Sequence, residues 1–62
     1  MIIIDAGASI GSVGAIRITA ALHVTIFLTG EEGIIKLDRN DNAEQVIDYL
    51  KENGFPNAKI VG

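Results

Sequence analysis

Cysteine is absent from this sequence, and histidine occurs once, at His23. Disulfides and thiolate metal sites are thereby excluded, and so is a metal cage built from several histidines. Length is short as well. The 62 residues give room for one domain, spanning 1–62, and a chain of this size buries a smaller fraction of its surface than a domain of ordinary length. Small scaffolds offset a thin core with disulfides, a structural metal or self-association. With the first two removed, self-association is what the composition leaves.

Positive charge is also sparse. The five basic residues, Arg17, Lys36, Arg39, Lys51 and Lys59, are scattered among eight acids, and the net charge is −3. That balance argues against a nucleic-acid partner, which calls for clustered Lys and Arg. The longest stretch free of Asp, Glu, Lys and Arg, 18–30, falls short of the roughly 20 residues a membrane-crossing helix needs, so no membrane span is expected. The first apolar run has no basic segment before it and is broken by Asp5, unlike a secretory signal. A cytoplasmic location is the expectation.

What the chain does have is apolar character: 48% of its residues are hydrophobic and its mean hydropathy is +0.37. Charge is uneven along it. Residues 1–30 carry one acid and one base, whereas 31–62 carry seven acids and four bases. The first half reads as interior or interface, the second as solvated.

Met1 to Ile4 is a run of large apolar residues that predicts a strand buried on both faces. The segment from Ala6 to Gly14 holds three glycines among small residues and predicts a loop or a hairpin connection. From Ile16 to Thr29 apolar residues alternate with more polar ones. Ile16, Ile18, Ala20, Leu22, Val24, Ile26 and Leu28 share one parity; Arg17, Thr19, Ala21, His23, Thr25, Phe27 and Thr29 share the other. Period two predicts a strand with one apolar face. At about 3.3 Å per residue such a strand would overrun so small a globule, so it bends, turns near Ala20 to His23, or pairs with another chain.

The polar, glycine-bounded sequence of 29–33 predicts a turn and Ile34 to Leu37 a further strand, together a hairpin. A helix should follow from about Ala43 to Asn53. Its start is either Asp41 as N-cap with Glu44 completing a capping box, or Asn42 with Gln45. Ala43, Val46, Ile47 and Leu50 make its buried stripe. Gly54 predicts a left-handed helix ending with Phe55 folded back onto Leu50, and Pro56 blocks continuation. Ala58 to Val61 is a last strand. The fold class is therefore α/β (α+β): β-β-β-(β)-α-β, one mixed or antiparallel sheet with a single helix packed on one face.

Several residues are candidates for chemistry. Gly7, Gly11 and Gly14 follow a strand, as phosphate-cradling glycines do, but their spacing is not G-x-G-x-x-G and the following segment alternates like a strand instead of opening a helix. Asp5 ends an apolar strand, where metal ligands and catalytic acids sit in α/β sheets; the simpler reading is a turn-initiating carboxylate bonded to the next backbone N–H groups. Glu44, Asp48 and Glu52 line one helix face at i, i+4 and i+8. Their repulsion amounts to a few tenths of a kcal/mol per pair, and they are read as a solvated face relieved by Lys51 rather than as a cation site. His23 reads as a surface or interface residue; buried at a symmetric interface, it would weaken association on acidification.

The stretch Ile2-Ile3-Ile4-Asp5-Ala6-Gly7-Ala8-Ser9 running to Val13-Gly14-Ala15-Ile16 resembles the first hairpin of the ribonuclease H-like superfamily. It is similar both to the phosphate-binding hairpin of sugar kinases and actin-like ATPases and to the D-G-A-S opening of ribonuclease H. Asn40-Asp41-Asn42-Ala43-Glu44 resembles the N-N-x-A-E start of the ribonuclease H helix that carries its second acid. The resemblance implies that Asp5 and Glu44 bind a divalent metal that activates water against a phosphodiester, with Gly7, Ser9 and Gly14 at a phosphate. The chain departs from that pattern where Ala6 interrupts D-G-A-S and Gln45 replaces an aromatic residue, and the resemblance covers only the first half of such a domain.

The residues taken alone favour a different class: a non-enzymatic module without a cofactor that self-associates, most simply as a homodimer, or docks a protein partner. Residues 16–29 would be its assembly strand, with Ile16, Ile18, Leu22, Val24, Ile26 and Leu28 at the interface.

Overall fold

The computed structural model describes residues 1–27 and 33–62. Six elements follow in order: β1 (Ile2–Asp5), α1 (Gly11–Leu22), β2 (Ile26–Phe27), β3 (Ile34–Leu37), α2 (Ala43–Glu52) and β4 (Lys59–Ile60). The strands form one sheet in the order β2-β3-β1-β4, and every neighbouring pair is antiparallel. β1 and β2 therefore run parallel with β3 between them, and β3 and β4 run parallel with β1 between them. Two interleaved split βαβ units result, the arrangement of ferredoxin-like folds.

The expected α/β class with an antiparallel sheet holds, but the described residues form two helices, not one. The long alternating strand does not form. Residues 11–22 are helical instead, and among the described residues of the segment Ile26 and Phe27 pair in the sheet. The physical reason is that α1 is apolar on nearly every side, so strand and helix templates both match it. Ile18 and Leu22 share a face at period two and also lie one helical turn apart. Ala15 and Ile18 are buried, and Leu22 packs against the core, which is the i, i+3, i+7 spacing of a helix. Making a helix satisfies these backbone groups within the segment and removes the overrun that a strand would suffer.

The sheet presents one face to the helices. Ile4 of β1 and Ile35 and Leu37 of β3 are buried there, against Val46 and Leu50 of α2 and Ile18 of α1. The opposite parity, Ile3, Asp5, Ile34 and Lys36, is half-buried. Ile3 faces Lys36 across the ladder, and Asp5 faces both Ile34 and Lys59, so charges interleave the apolar residues on that side. β1 is thus buried on one face and not on both.

α2 follows its sequence signals closely. Ala43, Val46 and Leu50 are buried, and Ile47 packs against the core. Asn42 is the N-cap, its side-chain oxygen accepting the Gln45 N–H at 3.3 Å. At the other end Gly54 is left-handed (φ +96°) and the Phe55 N–H donates to the Leu50 carbonyl at 2.9 Å, the Schellman ending. The chain then returns to pair β4 with β1. That pairing runs on through Val61, whose N–H donates to Ile3 at 2.9 Å, and Gly62, which accepts from Ile3 at 2.8 Å.

Candidate functional site

β1 leads directly into the glycine-rich segment, and here the helix begins at Gly11, within the stretch expected to be a loop or hairpin. The Asp5 carboxylate accepts the Gly7 N–H at 2.8 Å, so it does the local work of starting the turn. Gly14 lies inside α1, where a Cβ would run into Cγ2 of Ile10; Gly7 and Ser9 precede the helix and are exposed. Gly7, Ser9 and Gly14 are consequently spread over a turn and the first turn of a helix.

Glu44 stands elsewhere. Because Ile2 pairs with Leu37 and Asp5 with Ile34, the end of β3 lies beside the start of β1. α2 opens just after that end, so Glu44 in its first turn sits at the Ile2 end of the sheet. α2 then runs back for about 15 Å and delivers Lys59 opposite Asp5. Asp5 therefore lies at the Ile34 end of the β1–β3 ladder, and Glu44 follows its Leu37 end. Among the described residues no three His, Cys, Asp or Glu side chains come together as a metal site, and no helix is long and apolar enough to cross a membrane.

The six residues assigned to an assembly strand part company. Ile18 and Val24 are buried in the chain's own core, and Leu22 and Ile26 pack against it. Leu28 lies outside the described residues, as do 29–32 of the expected turn. Ile16 alone faces outward, 57% exposed. His23, placed by alternation on a polar strand face, is instead the C-cap of α1 in the left-handed conformation, φ 53° and ψ 38°.

Two surface features emerge that alternation hides. The first is the outward face of α1. Val13, 72% exposed, lies one turn before Ile16, and exposed Ala20 lies one turn after it. These three residues at i, i+3 and i+7 oppose the Ala15–Ile18–Leu22 side that faces the core. Arg17 flanks them and is the helix's one charged residue. Helical spacing applied to 11–22 would have found this stripe in the sequence.

The second is a cleft of about 190 Å³ between α1 and α2. Ile10, Ile18, Leu50 and Phe55 supply its apolar walls, Gly14 part of its lining, and Arg17, Tyr49 and Asn53 its polar groups. Asn53 is anchored there by donating its side-chain N–H to the Tyr49 carbonyl at 2.7 Å. Its lining comes from two separated stretches of chain, 10–18 and 49–55, which is why no local motif announces it.

Comparisons with protein-family models, with curated proteins and with solved structures return no match for this chain. The class defined by the fold is a two-layer, ferredoxin-like α/β domain, an architecture that hosts many activities and by itself specifies none.

Proposed function

We propose that this chain is a non-enzymatic module that works by self-association, with the outward face of α1 as its contact surface and a second copy of the chain as its partner. The observation that carries this reading is the pair Val13 and Ile16, large apolar side chains a turn apart on the solvent side of a nearly charge-free helix. Solvated helices place charged residues on that side. Met1, Ile60 and Val61 are also exposed but lie on strand ends and the β4 edge, not on a helix face. The outer face of the sheet interleaves Asp5, Lys36 and Lys59 with its isoleucines, and so is better suited to water.

Burial of such a stripe is favourable by about 25 cal/mol per Å². α1 is about 18 Å long, and the chain exposes 3828 Å² in total. A standard interface takes about 800 Å² from each partner, roughly a fifth of that surface. One helical stripe supplies less, so the expected complex is a weak, exchanging dimer. Light scattering across a concentration series tests this: mass rising toward that of two chains supports the reading, and constant monomer mass overturns it.

A further inference from the structure

The cleft between α1 and α2 has a chemical character of its own. Of its eight lining residues, Arg17 is the one that carries charge, and none is an acid. Arg17 has no hydrogen-bond or ion-pair partner among the described residues. It is the single base in the first 35 positions of a chain whose net charge is −3. Below it the walls are aliphatic and aromatic, half-buried at Ile10 and Phe55 and fully buried at Ile18 and Leu50.

We infer that this cleft is a binding site for a small organic monoanion, a carboxylate carried on a compact apolar body, with Arg17 receiving the carboxylate and the walls of Ile10, Ile18, Leu50 and Phe55 receiving the body. The planar guanidinium matches a carboxylate with two parallel hydrogen bonds. A volume near 190 Å³ admits a single ring or short branched chain and is smaller than a drug-sized pocket. An inorganic anion would leave the apolar walls wet, and a neutral apolar molecule would leave Arg17 unpaired. The two halves of the site select for one ligand class together.

The test is a titration of the isotope-labelled full chain with benzoate, benzamide and acetate, read by backbone amide NMR shifts. Benzoate should give saturable shifts centred on Gly14, Arg17, Tyr49, Asn53 and Phe55. Benzamide and acetate should each bind at least about tenfold more weakly, the loss of one charged hydrogen-bonding contact or of the apolar one. Arg17→Gln should weaken benzoate about tenfold while leaving benzamide unchanged; Arg17 is exposed, so the variant keeps its fold. Equal binding of benzoate and benzamide, equal binding of benzoate and acetate, indifference to Arg17→Gln, or no saturable shift would each overturn the assignment. Ile16 does not line the cleft and, next to Arg17 in sequence, does not face it along the helix, so the uncharged Ile16→Gln should keep the benzoate response, which separates failure of this site from failure of the dimer.

Discussion

The backbone N–H of Thr25 donates to the carboxylate of Asp41 at 2.8 Å, joining the chain after α1 to the loop before α2 across sixteen positions. This bond settles which residue caps α2. Asp41 and Asn42 are both suitable N-caps, but the Asp41 carboxylate serves Thr25, and the cap passes to Asn42. Asp41→Ala should therefore act as a tertiary lesion, costing about 1 kcal/mol without shortening α2. Asp41→Asn retains an acceptor oxygen and should cost less. Urea unfolding with circular dichroism distinguishes this from a cap loss: Asn42→Ala should fray the start of α2 and Asp41→Ala should not, and a loss of helical signal in Asp41→Ala would contradict the assignment.

His23 ends α1 in a left-handed conformation that a Cβ disfavours. Replacing it by glycine removes that strain and adds back some unfolded-state freedom. His23→Gly should stabilise the fold by about 0.5–1 kcal/mol, raising the melting temperature by a few degrees in a domain this small. A lower melting temperature would show that the imidazole makes a compensating contact.

Two left-handed glycines should respond very differently to alanine. At Gly33 (φ +81°) a Cβ would lie 2.5 Å from the Ala8 carbonyl oxygen, and the Gly33 carbonyl itself accepts the Ala6 N–H at 2.8 Å. At Gly54 (φ +96°) a Cβ would meet nothing within 4 Å. Gly54→Ala should cost only the backbone strain, about 1–2 kcal/mol. Gly33→Ala must also displace the turn after β1 and should cost clearly more, by thermal or denaturant unfolding. Similar costs would mean that the Ala8 turn yields freely.

The C-terminal half was legible because its signals are local and redundant. Asn42, Gly54 and Phe55 mark the two ends of α2, the buried spacing of Ala43, Val46 and Leu50 marks its face, and β3 spans Ile34–Leu37, the short strand expected there. The first half was not, for the converse reason. α1 has no capping side chain at Ile10, no acid in its first turn and no glycine where it stops at His23. Its residues are apolar at helical and at strand spacing alike, so only the sheet assembled from distant strands decides between them. The site followed the same division. Asp5 was readable as a turn former, whereas the distance between Asp5 and Glu44 depends on the register of β1 with β3. The stripe of Val13 and Ile16 becomes visible only once 11–22 is known to be helical.

Sedimentation velocity of the wild-type chain beside Val13→Glu and Ile16→Glu, at concentrations up to about 100 μM, bears most directly on the account of α1 as a contact surface. Both side chains are exposed, so neither charge should unfold the chain, and unchanged circular dichroism will verify this. The account predicts a wild type whose sedimentation coefficient rises with concentration toward a dimer, and two variants that stay monomeric throughout. A wild type that remains monomeric over the whole range, or variants that associate as it does, would contradict it.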